Sequence, residues 1–248
     1  MIEIKNVKKR FGRKEVLSGV DLTINKGETL VIIGKSGCGK SVLLKHIIGL
    51  LKPDEGEIFF EGTEITKLKL KELYKIRQKF GFLFQGAALF DSMTVGENVG
   101  LALVEKAKMT SGISQKDISK IVAEKLEVVG LPGTEKMMPS DLSGGMKKRV
   151  SLARALATNP EYILYDEPTT GLDPVMSDAI DELIKELTER LKVTSIVVTH
   201  DIFSVYEVAD KVAMMEDRKI HFHGTPKELV ETQDQIIRNF LNRTDKKI

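Results

Sequence analysis

Apolar, β-branched runs recur along the chain at residues 30–33, 162–165 and 196–198, and each gives way to glycine or polar residues and then to a helical pattern. Continuous apolar runs of this length suit strands buried on both faces, so all three read as parallel strands. The helical stretches among them, 41–50 and 174–191 for instance, are long enough for crossover connections. That alternation predicts an α/β fold with a parallel sheet. Near the start the pattern changes: Ile2 and Ile4, then Val20, Leu22 and Ile24, alternate with polar residues. A period of two predicts an antiparallel β-layer there.

Between residues 91 and 158 the strand signal disappears and helix formers dominate, interrupted by a soft segment at 110–114 and by Leu131-Pro132-Gly133. This predicts a helical subdomain (91–158) inserted in an α/β core (1–90 and 159–225), with a helical tail (226–248) entered through Pro226, all within one domain. No internal repeat or low-complexity tract interrupts that plan.

Composition narrows the picture modestly. With 42% apolar residues in 248, a well-buried core is expected. Lysine and arginine number 38 against 36 acids, a formal charge of +2. So slight an excess gives none of the long-range field that a general nucleic-acid binder uses, and no nucleic-acid partner is expected. The single cysteine, Cys38, cannot form an internal disulfide, and MIEIKNVKKRF lacks the apolar stretch of a secretory signal, so a reducing cytoplasm is expected. Every apolar run is far short of the roughly 20 residues that cross a bilayer, so membrane contact must go through a partner or a surface.

The most specific chemistry follows the first buried strand. Gly34-Lys35-Ser36-Gly37-Cys38-Gly39-Lys40-Ser41 fits G-x-x-x-x-G-K-[S/T] between an apolar strand (29–33) and a helix (41–50). Glycines let the backbone curl so that successive N–H groups face phosphate oxygens at the positive end of the following helix. A side chain at Gly39 would obstruct that curl. Lys40 then serves the β- and γ-phosphates of ATP, and Ser41 ligates Mg²⁺. An ordinary glycine-rich turn explains the glycines, but not Lys40-Ser41 at that offset.

Asp166-Glu167 closes the apolar run 162–165. Consecutive positions aim two carboxylates differently at the strand's C-terminal edge. Asp166 is assigned to Mg²⁺ and Glu167 to activating the water that attacks the γ-phosphate. Alone, Asp-Glu is a common solvated strand end. The buried strand before it and the phosphate loop upstream favour the functional reading.

Further segments complete a set: Phe11, Gln85 after the strand 80–84, Leu142-Ser143-Gly144-Gly145-Met146 before a helical run, Gly171-Leu172-Asp173, and Thr199-His200-Asp201. In this order, over nearly the whole chain, they resemble the ABC ATPase family. The resemblance implies a P-loop NTPase fold with a RecA-like parallel-sheet core. It also implies a homodimer packed head to tail, each phosphate loop (Gly34 to Val42) holding an ATP. The other copy's Ser143, Gly144, Gly145, Met146 and Asp173 close over that ATP. By the same resemblance Gln85 senses Mg²⁺ and the attacking water and links to an integral-membrane permease, His200 bonds the γ-phosphate, and Phe11 stacks on adenine. Each has a blander reading: a strand-end glutamine, a helix-start histidine, a core aromatic. Met146 stands where the family usually has glutamine, and Val42 replaces a second hydroxyl, a loss on the order of 1 kcal/mol.

At finer grain, Gly34 through Ser41 with Val42-Leu43-Leu44-Lys45, Phe84-Gln85-Gly86-Ala87-Ala88-Leu89-Phe90 and Leu142 to Met146 look like the Mla-type ATPases that serve MCE-protein lipid transporters of Gram-negative envelopes. That implies a peripheral subunit on the cytoplasmic side of the inner membrane, an MCE-type lipid-binding partner and a phospholipid cargo. Two competitors remain: an importer ATPase for another small solute, and a soluble ABC ATPase acting on nucleic acid or ribosomes. The latter usually has tandem domains or a long coiled-coil insertion, and this chain shows neither. A module without turnover would not need Glu167 and His200. The pair His221 and His223, with no Cys or further His nearby, reads as a solvated strand face. Lys67, Lys69, Lys71, Lys75, Arg77 and Lys79 read as a solvated amphipathic helix.

Overall fold

A computed structural model describes residues 1–110 and 113–245. Residues 111 and 112 of the soft segment, and the last three residues of the expected tail, lie outside the described residues. In chain order the elements are β1 (Ile2–Phe11), β2 (Lys14–Ile24), β3 (Thr29–Gly34), α1 (Lys40–Ile47), β4 (Glu55–Phe60), β5 (Thr63–Glu64), α2 (Leu70–Arg77), β6 (Phe80–Leu83), α3 (Val95–Thr110), α4 (Gln115–Val128) and α5 (Gly144–Leu156). There follow β7 (Tyr162–Asp166), α6 (Pro174–Leu191), β8 (Thr194–Val198), α7 (Ile202–Val208), β9 (Lys211–Glu216), β10 (Lys219–Gly224), α8 (Pro226–Glu231) and α9 (Gln235–Asp245). The chain forms two compact units, Met1–Arg77 with Ile184–Ile248, and Gln78–Leu183.

In the first unit the alternating N-terminal pattern makes an antiparallel sheet in the order β2-β1-β4-β5. Ile2 lies opposite Ile24 and Ile4 opposite Leu22, so the apolar members of both strands share the buried face. Beside it, β3 pairs in parallel with β8 and with β9, and β10 returns antiparallel on β9. All six residues of β3 are buried, as its unbroken apolar run requires. Each of Leu30, Val31, Ile32 and Ile33 contributes about 1.5–3 kcal/mol of transfer free energy. The helix expected over 41–50 begins one residue earlier and stops at Ile47. Its stop has a local cause, since Gly49 at φ +64° takes the left-handed conformation that ends helices.

In the second unit β6 and β7 are parallel, Phe80 opposite Tyr162 and Leu83 opposite Tyr165. Helices α3, α4 and α5 fill the stretch where strand signal was absent, around a core that includes Val95, Val99, Val122, Leu126 and Val150. A capping box of Ser114 and Asp117 starts α4. Against β6, α5 comes so close that a Cβ at Gly81 would lie 2.7 Å from the carbonyl oxygen of Ala155. Glycine there permits the contact.

Candidate nucleotide site

In the first unit the buried strand β3 delivers the chain to Gly34, at φ +151°, where a Cβ would meet the Met215 carbonyl oxygen at 2.5 Å. Five residues on, Gly39 has φ +112° and lies under β2, where a Cβ would be 2.8 Å from the Val16 carbonyl oxygen. Both places exclude a side chain on conformation and on space. Lys40 is 5% exposed, and its ammonium curls back over the loop to donate to the carbonyls of Gly34 at 2.8 Å and Lys35 at 3.3 Å. The N-terminus of α1 has no side-chain cap at Gly39 and no acidic residue in its first turn. A helix N-terminus carries a positive end that favours an anion.

Lys35, Ser36 and Gly37 are exposed, while Cys38, Ser41 and Val42 are half-buried. Lys35 makes an ion pair with Glu216 at the end of β9. Burial pushes the Cys38 thiol above its usual range, against the pull of the Lys40 charge. The Thr199 N–H donates to the Ile32 carbonyl at 3.1 Å, which sets His200, exposed, at the same C-terminal edge as the phosphate loop. Asp201 caps α7 through its bond from Phe203 N–H at 2.9 Å. Phe11, at the end of β1, is 47% exposed with Lys9 Nζ 5.6 Å from its ring centroid. An aromatic held that far out is no core residue, and the Lys9 ammonium lies over one face of its ring.

The second unit holds the acidic pair. Asp166 is 5% and Glu167 8% exposed. Glu167 sits at φ +51°, and Thr170 Oγ1 donates to its Oε2 at 3.1 Å. Lys148 of α5, which sequence reasoning did not single out, donates from Nζ to the carbonyl of Gln85 and, at 3.3 Å, to that of Glu167. Burial holds the Lys148 ammonium below its ordinary pKa, with the Asp166 and Glu167 charges opposing. Gln85 is exposed.

Ser143 is the N-cap of α5, its Oγ accepting from Met146 N–H at 3.2 Å, and Ser143 and Gly144 are exposed. Gly145 is buried beneath the side chain of Met176, whose Cε occupies the space a Cβ would need. Asp173 is exposed and caps α6, accepting from Met176 N–H at 3.0 Å. The first unit thus collects Gly34 to Val42 with His200, and the second collects Gln85 with the acidic pair, and Ser143 to Met146 with Asp173. His221, read as solvated, is exposed but pairs with Asp234 at 3.0 Å. Arg77 of the basic stretch donates to the carbonyls of Ile48 and Gly49.

A glycine loop of this shape, closed by its own lysine at the end of a buried parallel strand, belongs to the phosphate-loop ATPases. Residues 17–170 match the sequence profile of the ABC transporter family, and the chain belongs to that family. MlaF of Haemophilus influenzae, an intermembrane phospholipid transport system ATP-binding protein, is 42% identical, over 97% of this chain and 90% of its own. MlaF of Escherichia coli K12 is 38% identical over 98% and 88%. A probable ribonucleotide transport ATP-binding protein, mkl, of Mycobacterium tuberculosis H37Rv is 43% identical over 97% of this chain and 66% of its own. Among solved structures, the dimeric cassette MJ0796 in a post-hydrolysis state with ADP and Pi superposes with a TM-score of 0.83 at 37% identity, covering 91% of this chain and 99% of that one. Structure cbiO1 of Clostridium perfringens, part of an ABC transporter complex, gives 0.83 at 30% identity over 99% and 96%.

Proposed function

We propose that this chain is the ATP-hydrolysing subunit of a phospholipid transporter, working as a head-to-tail pair beneath a separate membrane permease with an MCE-type lipid-binding protein in the same complex. The observation that carries the reading is the near full-length likeness to MlaF in two organisms. The mkl likeness is one percentage point higher in identity than that to MlaF of Haemophilus influenzae, but this chain spans only 66% of that protein. No helix among the described residues is long and apolar enough to cross a membrane, so a permease would supply the passage. The proposed place is the cytoplasmic face of the inner membrane.

ATP binds with its phosphates in the loop Gly34 to Val42, where main-chain N–H groups, the Lys40 charge and the open end of α1 favour an anion. Phe11 stacks on the adenine. Mg²⁺ fits the donors present, a hydroxyl at Ser41, an amide oxygen at Gln85 and a carboxylate at Asp166, all oxygen. This ion takes oxygen ligands, usually one or two carboxylates beside phosphate oxygens and water. We assign Ser41, Asp166 and Gln85 to it; when bound, it neutralises charge on the β- and γ-oxygens. Glu167 takes the proton of the attacking water, and His200 donates to the γ-phosphate.

Ser143 and Gly144, exposed at the capped start of α5, offer a hydroxyl and main-chain donors, with Gly145, Met146 and Asp173, to the ATP held by the second copy. ATP closes the pair and hydrolysis reopens it. The test is purification of the native complex from membranes with analysis of the bound lipid. Recovery of a permease, an MCE-type protein and phospholipid supports the proposal. A nucleotide- or sugar-specific complex without phospholipid overturns the cargo and leaves the transport ATPase standing.

A further inference from the structure

We infer that Lys148 is a positioning residue for hydrolysis, its ammonium tying the main chain of Gln85 to that of Glu167 and so fixing together the two side chains assigned to the attacking water. The inference rests on those assignments. Lys148 is 5% exposed, and its partners lie 63 and 19 residues away in sequence. An ammonium has three donors and no acceptor, and burying it is costly unless the donors are used. Here two are spent on carbonyl oxygens, one on each side of the reaction's water-handling pair.

Both recipients need holding. Glu167 keeps a left-handed conformation, φ +51°, which a residue with a Cβ retains only when its surroundings impose it. Gln85 opens a loop in which Ala87 and Ala88 are also left-handed, at φ +60° and +51°. That loop hangs on the same helix: Ser151 Oγ donates to the Ala87 carbonyl at 2.8 Å, and Arg154 donates to the carbonyls of Ala87 at 2.8 Å and Ala88 at 2.7 Å. Lys148, Ser151 and Arg154 are three apart and follow one face of α5, whose N-terminus carries Ser143 and Gly144. A shift of that helix therefore carries Gln85 and the Glu167 main chain with it. An apolar side chain at 148 could fill the space, but it would release both carbonyls and leave the left-handed Glu167 without this support.

The test uses the purified full chain with Lys148→Met, Lys148→Arg and Glu167→Gln. Single-turnover hydrolysis of Mg-ATP with protein in excess reads the chemical step, a nucleotide titration reads affinity, and thermal unfolding reads the fold. Lys148→Met, similar in length but without donors, is expected to slow the chemical step by roughly tenfold to a hundredfold with ATP affinity within about twofold, because misplacement of a reacting group acts on rate. Lys148→Arg, which keeps charged donors, should recover much of the rate. A purely structural role would lower the unfolding temperature and leave the rate per folded molecule unchanged, and that outcome overturns the inference. So does lost affinity with an intact rate. Should Lys148→Met not fold, Lys148→Gln, which keeps a neutral donor, is judged by the same criteria. Glu167→Gln separates the two levels: if it still turns over, the water-activating assignment fails. If it is inactive while Lys148→Met has the wild-type rate, only the role of Lys148 fails.

Discussion

The ammonium of Lys40 lies 2.8 Å from the carbonyl oxygen of Gly34, so the lysine closes the phosphate loop on itself across six residues. Phosphate must compete with two carbonyls for this charge, and it offers a full negative charge where they offer dipoles. Lys40→Ala should weaken ATP binding by roughly tenfold to a hundredfold, the loss of about 1.5–3 kcal/mol for a hydrogen bond to a charged group. Titration with a fluorescent ATP analogue measures it. Unchanged affinity would remove Lys40 from the site.

Gly39→Ala should destabilise the chain by about 2 kcal/mol or more, since it adds left-handed strain to a contact with the Val16 carbonyl at 2.8 Å. Urea unfolding, with and without Mg-ATP, gives the number. A variant as stable as the parent, still stabilised by nucleotide, contradicts the close packing of β2 on the loop.

The loop was legible because its chemistry is local: the glycines and the Lys40-Ser41 pair are consecutive, and the strand before them is apolar without a break. The acidic pair was legible for the same reason. Lys148 was not. It stands between Lys147 and Arg149 at the start of the helical run that follows Met146, and its partners are main-chain carbonyls that leave no trace in side-chain pattern. Likewise the left-handed conformation of Glu167, Ala87 and Ala88 is not marked by residue type, since preference would have suggested glycine. The end of α1 was missed although residue type marks it: the helix expected over 41–50 runs past Gly49, whose left-handed conformation follows the last helical turn at Ile47.

Glu167→Gln is expected to keep ATP and lose turnover by a factor on the order of 10² to 10⁴, the usual contribution of a general base. The amide keeps the size of the carboxylate, and its oxygen can still accept the bond from Thr170 that now measures 3.1 Å. With hydrolysis blocked, ATP should hold the pair closed, so gel filtration should show a dimer that ADP does not induce. Turnover near the parent rate, or no ATP-dependent dimer, would contradict the assigned role.

Cys38 lies inside the proposed phosphate loop, half-buried, with its thiol pKa raised mainly by burial. The raised value keeps the thiol protonated and slow to react near neutrality, so maleimide labelling should accelerate as pH rises through the alkaline range. Mg-ATP should slow it at every pH by covering the loop. Equal labelling with and without nucleotide, read by mass spectrometry, would place the phosphates elsewhere.

Ala88→Glu tests the proposed link to the permease. Gln85, Gly86, Ala88 and Phe90 are exposed, Ala87 is buried, and the loop is anchored from behind by Ser151 and Arg154. Asn98 continues the anchoring, donating to the carbonyls of Phe90, Met93 and Thr94. The result is a fixed outward surface of small side chains with Phe90 half out of it, suited to close approach by a partner helix with one apolar anchor. Glutamate at 88 leaves every one of these main-chain bonds in place, and the left-handed φ of +51° disfavours alanine much as it disfavours glutamate. Stability and ATP affinity of the isolated chain should therefore stay near the parent values. In the assembled complex the added carboxylate would be buried without a partner, a cost of several kcal/mol. Permease should then fail to copurify, or copurify without stimulating hydrolysis, in membranes where the parent does both. If Ala88→Glu binds and responds to the permease normally, this loop is not the contact. If it instead loses ATP binding in isolation, the loop is part of the nucleotide site.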